Sequence, residues 1–366
     1  MKYLDQEKLA INIQNRARAD LEACNIGGSS VLVAQGDEIL FKEHFGDEEI
    51  FRPSDDSLFR IASMTKPITA VAIMILKDRE LLSLEDDVAR FYGKFFSMRL
   101  MDGQETPEKI KIKHLLTHTS GIGSGEAWTE ANKKMTEEDR STVEKFVDFW
   151  TEQPLAFVPG SQQAYSAVAA FSVLTGIVQK ITDMPFSDFL KKEIFDPCHM
   201  KDTTFEPTEE QWRRLVPMHD KQNGKNAVRK TVEHCVFEGY PTQNYLGGGG
   251  LISSLSDYLN FAKMLMGGGA FAGNRILSED SVKEMSQPLV PRSTDFWGYS
   301  VRVVAEEGRP LPRGSYGWSG AYGSHFWIDP SNKIIGIYMK NSRFDGGSGA
   351  KTSKNFEKDV YSCLSE

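Results

Sequence analysis

A mixed α/β (α+β) fold is predicted, in which an antiparallel sheet formed by the N- and C-terminal segments is flanked by helices and interrupted by an inserted, mainly helical lobe. Two observations predict it. Short apolar runs bounded by turn residues cluster near both ends of the chain, and long segments with helical spacing fill the middle third. Strands at both ends with helices between them favour one sheet shared by the two termini. At 366 residues the chain is long enough for two lobes around a common site. The expected division is an α/β lobe from 1–75 and 245–366 and a mainly helical lobe from 76–244, with the site between them.

The elements follow in order. Apolar positions from Leu4 to Ala23 recur at helical spacing. After Gly27-Gly28, the runs Val31-Leu32-Val33-Ala34 and Ile39-Leu40-Phe41 flank a turn at Gly36-Asp37 and predict a hairpin. The stretch Val71 to Leu76 is apolar all round, which requires a helix buried on every side. Helical patterns continue over Thr142 to Gln153, Ala167 to Ile181 and Phe186 to Phe195. A four-glycine run, Gly247 to Gly250, precedes another helix near Ser256 to Met266. Strand signals then cover Trp297 to Val304, His325 to Asp329 and Ile334 to Met339.

Composition narrows the function. Hydrophobic content of 40% and charged content of 26% are those of a globular chain. A net charge of −8, with no basic run to offset it, argues against a nucleic-acid partner. No run approaches the ~20 apolar residues of a membrane span, so no membrane partner is expected. The N-terminus from Met1 to Lys8 has no apolar leader, which reads as a cytoplasmic location. Cys24, Cys198, Cys235 and Cys363 are scattered without a C-x-x-C pair and read as reduced thiols.

Chemistry concentrates in Phe59-Arg60-Ile61-Ala62-Ser63-Met64-Thr65-Lys66-Pro67. Here an extended run gives way to the apolar helix. Residues at i and i+3 share a helical face, so the Ser63 hydroxyl and the Lys66 amine can meet. A serine hydroxyl needs a base to become a nucleophile, and a desolvated lysine can serve. Pro67, lacking an N–H, fits a helix start. A helix-capping serine followed by a solvated lysine is the alternative reading of the tetrapeptide alone.

The flanks of this motif, together with His114-Leu115-Leu116-Thr117-His118-Thr119-Ser120-Gly121, resemble the serine β-lactamase and penicillin-binding-protein superfamily. The resemblance is to its class C-like branch, and in motifs it is closest to family VIII carboxylesterases. It spans roughly residues 25 to 340 and implies a β-lactamase/transpeptidase-like fold. The family's tyrosine matches Tyr165, in Pro159-Gly160-Ser161-Gln162-Gln163-Ala164-Tyr165, a phenol that the charge of Lys66 would help to act as general base toward Ser63. A core tyrosine with a satisfied hydroxyl is the other reading. The third family element matches Trp318-Ser319-Gly320, implying substrate-binding roles for Trp318, Ser319 and Gly320. The same match implies an oxyanion hole formed by the N–H groups of Ser63 and Ala321. Two departures matter. Ala167 stands where the family has an asparagine that contacts amide substrates, and Trp318 stands where a cation meets the substrate carboxylate. Both favour a neutral ester.

Other signals are set aside. His114 and His118 have zincin spacing, but Leu115 takes the place of the glutamate. Cys198-His199 and His234-Cys235 lack metal-site spacing. Lys351-Thr352-Ser353 imitates Lys-Thr-Gly without the glycine and reads as a solvated loop, and Ala350 spoils a P-loop. Gly317 to Ala321 is only a near miss to a nucleophile elbow. His325 reads as the start of a strand.

The expected function is a serine hydrolase cleaving small carboxylic esters through an acyl-enzyme on Ser63, without metal or cofactor. A β-lactamase or D-alanyl-D-alanine carboxypeptidase-like enzyme, an acyltransferase and a non-catalytic binding protein of the same fold are the alternatives. For a β-lactam carboxylate, Arg343 is the nearest anchor the sequence suggests.

Overall fold

Val31 and Val33 face one way and Leu32 and Ala34 the other, and both faces are covered. The strand that holds them, β1 (Gly28–Gln35), is buried along its whole length. Val31 and Val33 pack with Leu9 and Ile13 of helix Gln6–Glu22 and with Phe356 and Val360 of helix Lys351–Tyr361. Leu32 and Ala34 join the main core, which contains the apolar residues of helices Thr65–Asp78 and Leu255–Met266. This is the two-residue period of a pleated strand. Burial on both faces is why β1 reads as an unbroken apolar run rather than an alternation.

The computed structural model describes residues 1–47, 51–229, 235–237, 239–347 and 349–365. His234 lies outside them. After β1 come β2 (Glu38–Gly46), β3 (Val290–Arg292), β4 (Asp295–Trp297), β5 (Arg302–Val303), β6 (Tyr316–Ser319), β7 (His325–Asp329) and β8 (Ile334–Met339). Their order across the sheet is β2-β1-β8-β7-β6-β5-β4-β3. Every neighbouring pair is antiparallel, and β1 pairs with β8 from Ser30↔Met339 to Gln35↔Ile334. The two ends of the chain therefore share one sheet, as the sequence predicts.

Helix Thr65–Asp78 is buried from Thr65 through Leu76, in keeping with its composition. Helix Ala169–Thr182 packs against it, and helix Val143–Thr151 packs against Ala169–Thr182 in turn, with the Thr142 hydroxyl capping its first turn. Among the described residues no helix is long and apolar enough to cross a membrane.

Two expectations are corrected. Trp297 to Val304 is not one strand: it breaks between β4 and β5, where Ser300 takes a φ of 67°. The Ser300 N–H leaves the sheet and donates to the Leu116 carbonyl at 3.0 Å, tying the hairpin to the helical segment. Lys351-Thr352-Ser353 is not a solvated loop but the first turn of helix Lys351–Tyr361. Thr352 and Ser353 are buried, and the Thr352 hydroxyl donates to Asp345. Phe356 and Val360 anchor that helix on the sheet, and the Gly/Ser-rich run ends just before it.

Candidate active site

The site begins where the short strand Leu58–Arg60, paired with Ile252–Ser254, turns into helix Thr65–Asp78. A 3₁₀ turn, Ala62–Met64, makes the junction. Ala62 takes a φ of 45°, a left-handed conformation that costs a non-glycine residue on the order of 1–3 kcal/mol and persists only where its surroundings enforce it. Here Tyr258 Oη donates to the Met64 carbonyl at 2.9 Å and the Leu251 N–H donates to Thr65 Oγ1 at 3.3 Å. The turn carries Ser63, and one helical turn on, Lys66 Nζ reaches Ser63 Oγ at 3.2 Å.

Lys66 is fully buried. Its amine also donates to the carbonyls of Ala167 at 2.7 Å and Gly248 at 2.6 Å. Among the described residues it has no carboxylate partner, and burial pushes its pKa well below the ordinary lysine value. Three acceptors match the three donors of an ammonium. A neutral amine would satisfy the two carbonyls and turn its lone pair toward Ser63. Gly248 must be glycine for this approach: a Cβ there would lie 2.8 Å from the Ala167 carbonyl oxygen and 3.4 Å from Lys66 Nζ.

Tyr165 Oη donates to Ser63 Oγ at 2.9 Å, and Trp318 Nε1 donates to Tyr165 Oη at 3.4 Å. Although 36% of Tyr165 is exposed, its hydroxyl sits between these two groups. Burial raises its pKa above the ordinary phenol value, opposed by the Ser63 and Trp318 hydrogen bonds and by the charge of Arg292. Ala167 contributes no side-chain amide but supplies the backbone carbonyl that holds Lys66.

Strand β6 brings in the third predicted segment. A Cβ on Gly320 would lie 2.3 Å from the Ile61 carbonyl oxygen and 2.2 Å from Ser324 Oγ, so only glycine lets the strand end abut the Ser63 turn. Ala321 packs in a small cluster with Ala62, Met218 and Tyr322. Among the described residues, the backbone N–H groups of Ser63 and Ala321 have no hydrogen-bond partner. Ser319 points to the opposite face from Trp318. Its Oγ bonds His325 Nδ1 at 2.8 Å, and His325 Nε2 meets Glu357 Oε1 at 2.9 Å. Arg343 lies over the Tyr322 ring, at 4.7 Å, and Tyr322 packs in the same cluster as Ala62 and Ala321.

Three side chains that sequence reasoning did not assign complete the surroundings. His118 lies 4.5 Å from the Tyr165 ring and 4.7 Å from Trp297. Trp297 stacks on Tyr165 at 6.0 Å and packs on Trp318 at 4.4 Å. Arg292 sits 5.3 Å over both indoles. A cleft of about 680 Å³ borders the segments that carry Tyr165 and Arg292, lined by Gln163 and Pro291 among others.

A family model described as Beta-lactamase matches residues 13–355. The chain belongs to this β-lactamase family. Protein Rv1367c of Mycobacterium tuberculosis is 30% identical over 371 residues, covering 90% of each chain. Esterase EstB of Burkholderia gladioli is 29% identical over 380 residues, covering 95% of this chain and 94% of the relative. The solved structure titled EstCE1, a hydrolase with promiscuous acyltransferase activity, superposes with a TM-score of 0.83 at 22% identity, covering 97% of this chain and 99% of that one. That likeness shows the fold. The chain is a hydrolase of the serine β-lactamase superfamily.

Proposed function

We propose that this β-lactamase-family chain is a serine hydrolase that cleaves small carboxylic esters through an acyl-enzyme on Ser63. The observation that carries the reading is the convergence of two groups on one oxygen: Tyr165 Oη at 2.9 Å and Lys66 Nζ at 3.2 Å from Ser63 Oγ. Burial depresses the lysine and raises the phenol, so Lys66 is the partner that takes the proton when Ser63 attacks. Tyr165, protonated during the attack, passes its proton to the departing alkoxide and is reprotonated from the Lys66 ammonium, so the alcohol leaves neutral and both groups return to their starting states. Water then attacks the acyl-enzyme, with the proton transfers reversed, and releases the acid.

The N–H groups of Ser63 and Ala321 hold the tetrahedral oxyanion; both lack competing acceptors among the described residues. Gly320 permits the close approach, Trp318 flanks the acyl or alcohol pocket, and Ser319 supports that wall from behind through His325. An ester is preferred over a β-lactam because Ala167 offers no side-chain amide to a substrate amide. The esterase name of EstB and the hydrolase title of EstCE1 support the same class.

The test is turnover of a short-chain p-nitrophenyl ester and a chromogenic cephalosporin, each with Ser63→Ala as control. Ester turnover with little cephalosporin turnover, both lost in the variant, is the expected result. Efficient cephalosporin turnover, or ester turnover that survives Ser63→Ala, refutes the reading.

A further inference from the structure

Arg292 ends β3, and its guanidinium lies 5.3 Å over the rings of both Trp297 and Trp318. It is half-buried, and among the described residues it forms no hydrogen bond or ion pair. Asp295 faces it in the hairpin register yet makes no ion pair with it. A guanidinium carries five N–H donors, and a partly buried charge is normally paired. Contact with ring faces uses its flat side and leaves donors for a ligand.

The charge of Asp295 acts on Arg292 from its own hairpin, whereas toward the site the neighbouring charge is positive. Arg292 is the cation whose charge acts on both Tyr165 and His118, in a chain whose net charge is −8. Trp318 links the two halves of the site, since it lies under Arg292 and donates to the Tyr165 hydroxyl.

We propose that Arg292 anchors a carboxylate of the substrate, so that the ester cleaved on Ser63 bears a negative charge on its acyl or its alcohol portion. This rests on the esterase reading and names its substrate class. It also reverses the sequence expectation of a neutral substrate. Trp318 does replace a cation on its own strand, but the neighbouring hairpin returns one to that tryptophan's face.

Two matched pairs test it by product release. Monomethyl adipate against methyl adipamate places the charge on the acyl side, and 4-acetoxybenzoate against 4-acetoxybenzamide places it on the alcohol side. In one pair kcat/KM should favour the anion roughly ten- to hundredfold, the range of a charge-assisted hydrogen bond, and that pair identifies the charged side. The net charge of −8 works against any anion, so a preference reports the local site. Arg292→Gln should bring the ratio to about one and Arg292→Lys should keep part of it. Because the ratio is taken within each variant, a general loss of activity divides out. Ratios near one in the unaltered protein, or an unchanged ratio in Arg292→Gln, overturn the proposal. If none of the four esters turns over, the esterase reading fails, and calorimetric titration with 4-hydroxybenzoate and adipate reads the anion site alone. Binding lost in Arg292→Gln upholds the site, and no binding of either anion overturns it.

Discussion

His118 holds the chain on both sides of Tyr165. Its carbonyl accepts the Ala164 N–H at 3.0 Å, and its Nδ1 accepts the Ser166 N–H at 3.2 Å. An accepting Nδ1 puts the proton of the neutral imidazole on Nε2. Burial, with the charges of Lys66 and Arg292, keeps the ring neutral by pushing its pKa well below the ordinary histidine value. The residue that sequence spacing offers as a metal ligand is thus a clamp on the proposed catalytic tyrosine.

Removing the clamp should damage turnover more than binding. His118→Ala removes the Nδ1 acceptor of the Ser166 N–H and leaves the backbone bond to Ala164 in place, and a misplacement of about 1 Å can cost on the order of 10²-fold in rate. We expect kcat for a neutral p-nitrophenyl ester to fall roughly 10- to 100-fold with KM little changed. His118 also sits at a φ of 58°, which asparagine tolerates better than alanine. His118→Asn, keeping an acceptor, should recover part of the loss. Equal damage in both variants would mean that the ring matters only as packing.

The pH dependence should carry the signature of Lys66. A lysine with depressed pKa is charged below that value and a free base above it. kcat/KM should therefore rise with pH through an apparent pKa below that of an ordinary lysine. Lys66→Arg replaces the amine with a group that stays protonated and should lower kcat by roughly 10²- to 10⁴-fold at every pH. A profile that rises only through the ordinary lysine range, or activity in Lys66→Arg close to that of the unaltered protein, would exclude Lys66 as the base.

What the sequence made legible was local or carried by residue type. Ser63 and Lys66 meet because i and i+3 share a helical face. The apolar all-round stretch after them had to be a buried helix, and the strands near both termini had to pair. Less legible were parts made by backbone and register. The carbonyls of Ala167 and Gly248 hold Lys66, but an acceptor that every residue possesses leaves no trace in composition. Arg292 reaches Trp318 only because β3, β4, β5 and β6 pair in sequence, a register that no motif encodes. The helix at Lys351 was hidden by the glycines and serines that precede it.

Gly248 tests the backbone part of the site. A Cβ there would lie 2.8 Å from the Ala167 carbonyl oxygen, closer than such contacts allow, and the atom it meets is backbone. Gly248→Ala should push apart the two carbonyls that hold Lys66 and reduce kcat at least about tenfold, while the fold, read by circular dichroism, is retained. Activity within twofold of the unaltered protein would show that the carbonyl cradle is not needed.

Glu357 tests the scaffold behind Trp318 and Ser319. It is buried on helix Lys351–Tyr361, bonds His325 at 2.9 Å and accepts from Arg302 Nη2 at 2.6 Å. Burial alone would raise its pKa, but the His325 hydrogen bond and the charge of Arg302 outweigh it and bring the group down to about 2. A carboxylate depressed in the folded state stabilises the fold at pH above its unfolded value. That stabilisation fades as pH falls from about 4.5 toward 2. The shift corresponds to about 3 kcal/mol. Glu357→Gln cannot ionise, so its stability should change less over that acid window. At neutral pH it should lose about 3 kcal/mol, since Arg302 and His325 are left without their shared anion. Urea unfolding at pH 7 and at pH 3 measures both terms. A loss of the same size at the two pH values would mean that the glutamate contributes by shape and hydrogen bonding rather than by charge.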